Sequence, residues 1–285
     1  RYATPLADVM AAADAVADGD LAVRVDESGT GEFARLARSF NRMTEELALS
    51  DRRRRNLTAD VAHELRNPLH VIQGNLEGIL DGVYAPTDAH IAATLEETRA
   101  LTRSIEDLQT IAAAEAGQLP LVRGPVAIDG LLADLVTSLE PMAQSADVVL
   151  TASATGDPST LIVNGDAGRL DQVLTNLVTN GLRHTEPGGT VTLHAMRQGD
   201  RVRITVTDTG VGIPADDLPY VFDRFWRGDP ARSHREGAGG GLGLAIARQL
   251  IEAHGGTIDV ASEVGVGTRF FIDLPVAAPA SLPEA

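Results

Sequence analysis

The 285-residue sequence predicts a multidomain protein: an all-α part that needs a second copy to bury its apolar surface, followed by an α/β layer domain. Two observations predict this. Apolar residues recur three and four apart through Phe33, Leu36, Phe40, Met43 and Leu47, and again through Val61, Leu65, Leu69, Ile72, Leu76 and Ile79. A third set runs through Ile91, Leu95, Thr98, Leu101, Ile105, Leu108 and Ile111. That is the spacing of helical seams. From residue 126 to 275, short β-branched runs then alternate with amphipathic helices, the pattern of a layered α/β fold.

Composition narrows the classes. Hydrophobic content of 44% with 22% charged residues is that of a globular protein. No apolar run reaches the roughly 18 residues that would span a bilayer. The net charge of −16 argues against a general nucleic-acid binder. With no cysteine, disulfides, zinc–thiolate sites and thiol catalysis are excluded. All 24 basic residues are Arg. A Walker A loop and the third strand of a Ser/Thr/Tyr protein kinase both need Lys, so any ATP site must be of another kind.

In chain order, residues 1–56 carry Leu6, Val9, Ala13 and Val16 on a short helix ended by Gly19-Asp20. A polar connector to Gly29-Thr30-Gly31 precedes the first seam. The run Arg52 to Arg55 reads as a solvated face. Residues 57–117 make two helices turning at Asp81 to Asp88. One apolar stripe on each leaves surface that only a second copy can cover, giving a homodimeric four-helix bundle. Residues 118–125, with Pro120, Gly124 and Pro125, form a linker.

Residues 126–275 follow as the layer domain and 276–285 as a tail. Val126-Ala127-Ile128, Val148 to Leu150 and Leu161 to Val163 read as strands, with Asp129 capping a helix to about Met142. A helix from Ala167 to Leu182 would bury Val173, Leu174, Leu177, Val178 and Leu182. Thr190 to Met196 and Val202 to Thr207 form a hairpin around Gly199-Asp200. A helix from about Leu242 to His254 and strands Gly256 to Ala261 and Thr268 to Leu274 complete the set.

The stretch His63-Glu64-Leu65-Arg66-Asn67-Pro68-Leu69 stands out. At about 100° per residue, His63 lies roughly 200° from Val61 and Leu65, away from the apolar stripe. Pro68 lacks an N–H and crowds the Glu64 carbonyl, so a kink is expected one turn after the imidazole. A lone histidine there would read as a solvated surface residue. With its neighbours and Val71-Ile72-Gln73-Gly74, the stretch resembles the phosphoacceptor box of sensor histidine kinases. The resemblance implies that His63 takes a phosphoryl group and that Glu64 orients the ring and takes its proton. It implies that Asn67 positions water for dephosphorylating a partner regulator.

Four further stretches have chemistry that suits a nucleotide, although alone the Asn pair reads as capping or solvation and the Asp208 loop as a simple turn. Asn176 and Asn180 fall four apart on one helix face, and a neutral amide oxygen suits Mg²⁺ beside phosphates. Arg183 and His184 follow, with charge suited to phosphate oxygens. In Asp208-Thr209-Gly210-Val211-Gly212-Ile213 a carboxylate after a strand can accept from an exocyclic amine, while the glycines let a base approach. Phe222 and Phe225 suit the core, whereas Trp226 and Arg227 open a loop that can reach a nucleotide. Gly239-Gly240-Gly241-Leu242-Gly243-Leu244 opens a helix with bare N–H groups, a phosphate cradle without the G-x-G-x-x-G register. The polar segment Asp229 to Glu236 before it suits a lid.

In this order these stretches resemble the N, G1, F and G2 boxes of the GHKL ATP-binding domain shared by histidine kinases, gyrase, Hsp90 and MutL. Gly265 to Thr268 with Phe270 matches the last glycine box. The resemblance implies that Asn180 ligates Mg²⁺, Asn176 lines the phosphate site, and Asp208 reads adenine with Gly210, Gly212, Ile213 and Thr268. Gly239 to Leu244 would wrap the triphosphate. Gly181 and Arg183 depart slightly, since relatives more often carry Ala and Lys there. Residues 1–56, with Gly19-Asp20-Leu21, Gly31-Glu32-Phe33 and Phe40-Asn41-Arg42-Met43, resemble a HAMP signal-relay module; an ordinary helical hairpin is the alternative.

The whole implies an ATP- and Mg²⁺-dependent protein-histidine kinase of a bacterial two-component system, homodimeric, whose partner is a response-regulator Asp. It implies a cytoplasmic portion of a membrane receptor, held at the membrane through a segment upstream of residue 1. A gyrase-type ATPase, or a relay or mainly phosphatase protein, remains an alternative.

Overall fold

The computed structural model describes residues 3–28, 31–116, 118–226, 228 and 241–277, with the side chains of residues 3–5, 50, 52–64, 67 and 115 outside the description. The chain divides into two compact units, residues 1–70 and 71–285.

In the first unit, helix α1 (Ala3–Ala17) ends at Gly19, whose φ of +97° turns the chain into the connector. Helix α2 (Glu32–Leu80) follows and runs through Pro68 as one element, so the boundary expected at residue 56 lies inside a helix. Of the expected seam Phe40 is buried, while Leu36, Met43 and Leu47 are exposed. The remaining buried positions, Ala12, Ala34, Ala37 and Thr44, are short side chains that sequence spacing does not flag. Asn41 is buried too and holds the connector: it accepts from the Val25 N–H at 2.9 Å and donates to the Val25 carbonyl at 2.9 Å and to Glu27 at 2.7 Å. A buried amide satisfied in this way costs little and fixes one connector path.

In the second unit, α3 (Asp88–Glu115) starts at Thr87, whose hydroxyl accepts from the His90 N–H as an N-cap. Leu76, Ile91, Leu95 and Ile105 are exposed, but Ile111 at the end of α3 is fully buried in the core of the α/β domain. Strands β1 (Gly124–Ala127) and β3 (Ile162–Gly165) form an antiparallel pair. A five-stranded sheet orders β2 (Val149–Thr155), β4 (Thr190–Gln198), β5 (Arg201–Asp208), β7 (Gly267–Pro275) and β6 (Thr257–Glu263). Among the described strands only β2 and β4 run parallel. The buried alternates Val191, Leu193, Ala195, Val202, Ile204, Val206, Phe270, Ile272 and Leu274 share a core with α4 (Ile128–Ser145), α5 (Ala167–His184) and α6 (Gly243–Ala253). This is the expected sandwich.

Two local expectations fail. Ile128 begins α4 instead of ending a strand, and Asp129 is not the cap. The N-cap is Ala127, which makes no side-chain capping bond; the Ile128 N–H donates to the Leu161 carbonyl instead. Full burial of Ile128 sets where the helix starts, and Asp129 falls in its first turn, beside the positive end of the helix dipole. Among the described residues no helix is long and apolar enough to cross a membrane.

Candidate functional site

Helix α5 is the spine of the candidate nucleotide site. Asp166 caps it, accepting from the Arg169 N–H at 3.1 Å, while its other carboxylate oxygen accepts from the Val122 N–H of the linker. Burial works against that charge, but backbone donors from Val122, Arg169 and Gly168 outweigh it and hold Asp166 below the usual carboxylate range. Leu170, Val173, Leu174, Leu177, Val178 and Leu182 are all buried, which turns the opposite face of the helix outward. At about 1.5–3 kcal/mol for each buried Leu or Val, this face anchors the site firmly.

Along the outward face the expected residues come together from three segments. The Asn176 amide donates to the Gly243 carbonyl at 3.1 Å, tying α5 to the start of α6. One turn later, half-buried Asn180 makes no side-chain hydrogen bond among the described residues, so its amide oxygen is available. Gly181 packs on Asp208, and a Cβ there would meet the Asp208 Cβ at 3.5 Å. The His184 carbonyl accepts from the Val211 N–H at 3.1 Å and stands so close to Gly210 that a Cβ at that glycine would lie 2.4 Å away.

Asp208 ends β5 and is buried. Its Oδ1 accepts from the Gly210 N–H at 2.9 Å and the Thr268 N–H at 3.1 Å. Its Oδ2 has no donor among the described residues. Burial pushes the Asp208 carboxyl up, opposed by the Gly210 and Thr268 donors and by the nearby His184 charge. Arg183 and His184 show surface to solvent, yet desolvation of their charged groups lowers both, and the Arg183 charge lowers His184 further against the pull of Asp208.

The loop after Asp208 is held from several sides. Gly212 has φ +72°, and a Cβ there would lie 2.1 Å from the Glu263 carbonyl oxygen. The Gly265 N–H donates to the Val211 carbonyl, and the Ile213 N–H donates to Ser262 Oγ at 2.8 Å. On the other side Gly241, at φ +70°, accepts the Phe225 N–H, and Phe225 itself takes φ +58°. Leu242 is buried and Gly243 opens α6, so the end of the glycine run is fixed on Phe225 and Asn176. Trp226 is half-buried beside it. Arg227, Gly239 and Gly240 lie outside the described residues, as does the expected lid from 229 to 236. His63, Glu64 and Asn67 lie on α2, with side chains outside the description.

Among the described residues no group of three or more His, Asp or Glu is arranged to hold a metal. The donor set suits nucleotide-bound Mg²⁺, in which a neutral amide completes a shell made mostly by phosphates and water. Sequence reasoning missed Ser262 and the linker contacts of Val122 and Arg123, the latter donating to the Ala253 carbonyl. A serine in a strand gives no signal by itself.

Three family models match successive parts of the chain: the HAMP domain over residues 3–48, the His Kinase A (phospho-acceptor) domain over 53–117, and the histidine kinase-, DNA gyrase B- and HSP90-like ATPase over 165–278. The chain is 34% identical over 261 residues to the signal transduction histidine-protein kinase BaeS of Escherichia coli, covering 92% of this chain and 55% of that protein. Among solved structures it resembles the Acinetobacter baumannii histidine kinase AdeS, with a TM-score of 0.64, 26% identity, and coverage of 76% of this chain and 98% of that one. It also resembles full-length ShkA in complex with AMPPNP, with a TM-score of 0.56, 27% identity, and coverage of 80% and 47%. The chain thus spans about half the length of BaeS. A phosphoacceptor domain between a HAMP domain and this ATPase fold, with the BaeS likeness across 92% of the chain, places the chain in the family of bacterial two-component sensor histidine kinases.

Proposed function

We propose that residues 126–275 bind Mg²⁺-ATP and that the γ-phosphoryl group passes to Nε2 of His63. The observation that carries this reading is Asp208: buried, with Oδ1 engaged by two backbone donors and Oδ2 left for the exocyclic amine of adenine. Asn180 would contribute its amide oxygen to Mg²⁺, which when bound neutralises phosphate charge. Arg183 would meet phosphate oxygens, and Asn176 holds the glycine run at Gly243 where the phosphates lie.

Neutral imidazole is the nucleophile, and most histidine is neutral at pH 7. The Nε2 lone pair forms the bond to the γ-phosphorus, the bond to the bridging oxygen breaks, and ADP leaves. Glu64 accepts the Nδ1–H hydrogen bond, offsets the charge that develops on the ring, and takes its proton. The phosphoryl group then passes to an Asp of a response regulator, and Asn67 supports hydrolysis of the phosphorylated regulator by positioning water. Two copies act together, because the exposed Leu76, Ile91, Leu95 and Ile105 need a partner surface.

Incubation with Mg²⁺ and γ-labelled ATP tests the reading. Label lost in acid and kept in base is the expected phosphohistidine. Label stable in acid, or none with nucleotide bound, would sink it.

A further inference from the structure

Ser262, on β6, belongs to no motif read from the sequence, yet its hydroxyl joins three segments of the site. It accepts from the Ile213 N–H at 2.8 Å, donates to the Gly267 carbonyl at 2.8 Å, and lies 3.0 Å from Thr268 Oγ1. A serine hydroxyl has one proton and two lone pairs. The Gly267 carbonyl, which cannot donate, takes the proton, and the Ile213 N–H takes one lone pair. The remaining contact then has a single direction: Thr268 must donate to Ser262. Thr268 itself is tied to Asp208, since its N–H donates to Oδ1 at 3.1 Å.

From this network we infer that Ser262 is a specificity-determining positioning residue, which consumes the Thr268 proton so that Thr268 and Asp208 present only acceptors to the base. The inference rests on the reading that Asp208 recognises adenine. Two acceptors suit a 6-amino group, which donates; a 6-oxo group, itself an acceptor, finds no partner there. The arrangement is rigid as well as polar. Gly267, at φ +133°, leaves no room for a Cβ against the Asp208 carbonyl oxygen, 2.0 Å away, so the turn carrying Thr268 sits tightly on the end of β5. Without the Ser262 hydroxyl, Thr268 is free to rotate its proton outward and offer it to a 6-oxo base.

The test compares binding of Mg²⁺-ADP and Mg²⁺-IDP, which differ only in the 6-amino and 6-oxo groups and the N1 proton, by titration calorimetry on the full chain. In Ser262→Ala the ratio of the two dissociation constants should fall about tenfold relative to the parent protein. In Ser262→Thr, which restores the hydroxyl, it should stay within about twofold. Loss of packing alone would weaken both nucleotides equally and leave the ratio unmoved, and that result would overturn the inference. If Ser262→Ala fails to fold, Thr268→Val decides. A ratio that falls there supports base reading by the Thr268 hydroxyl, and an unchanged ratio overturns it. Failure of the parent protein to bind ADP would instead overturn the nucleotide-site reading beneath the inference.

Discussion

Helices α5 and α3 carry apolar residues at the same three- and four-residue spacing, and the chain treats them in opposite ways. On α5, Val173, Leu177 and Val178 are at most 1% exposed, covered by α4, α6 and the sheet. On α3, Ile91 and Leu95 are 54% and 48% exposed, and Leu76 on α2 is 49% exposed. The difference teaches that one part of the molecule completes its core within a single copy and the other does not. Helical seams left open over several turns are costly in water and mark surfaces meant for a partner. The α/β domain closes its own core around the proposed nucleotide site, whereas the helices leave apolar faces that the proposed dimer would cover.

The sharpest way to break that contrast is Leu95→Asp. It would bury a carboxylate from each copy in the bundle, weakening dimerisation by roughly 4 kcal/mol, about a thousandfold, with nucleotide affinity unchanged. Sedimentation of the full chain checks it, and an unaltered dimer would show that this face is not the interface. The converse change, Leu177→Ala, should cost about 3 kcal/mol in thermal or urea unfolding of the α/β domain and leave the dimer intact.

A smaller effect lies where the two parts meet in sequence, near the buried Ile111. Burial, then the neighbouring Glu106 carboxylate, push Asp107 up from 3.8 to about 6 against the pull of Arg103. Between those values the folded chain keeps a proton that the unfolded chain has lost. Stability should therefore fall as pH rises through that window, by roughly 1–2 kcal/mol once solvent screening is allowed for. Asp107→Asn should flatten this slope in urea melts taken across that pH range. The smallest effect is a gain. Gly181 lies in the last turn of α5, and the atoms nearest an added Cβ, on Val191 and Asp208, stand at 3.4–3.5 Å, ordinary contact. Gly181→Ala should raise stability by about 0.5–1 kcal/mol, and a lower melting temperature would contradict the packing described.

The sequence made the sandwich legible because each element announces itself by period. The α5 stripe, the β4–β5 hairpin and the Gly265–Gly267 turn stand where alternation and glycine predict. Within the site Asp208, Gly210 and Thr268 converge because a strand end and a strand start are adjacent in the sheet, which motif order implied without geometry. Other features were not legible. Asp129 looks like a cap, but burial of Ile128 and its N–H bond to Leu161 place the helix start earlier. Ser262 acts through hydroxyl geometry, and Asn41 through the path of a connector sixteen residues away, for which periodicity has no signal. The alanines of α2 are buried because they are small, and a search for large apolar residues passes over them.

If a self-contained nucleotide site serves an acceptor on the helices, His63→Gln should separate binding from labelling. The full chain carrying this substitution is given Mg²⁺ and γ-labelled ATP, and ADP binding is titrated on the same sample. ADP affinity should equal that of the parent protein, and label should be lost completely. Label retained at the parent level would contradict it and move the acceptor elsewhere in the chain.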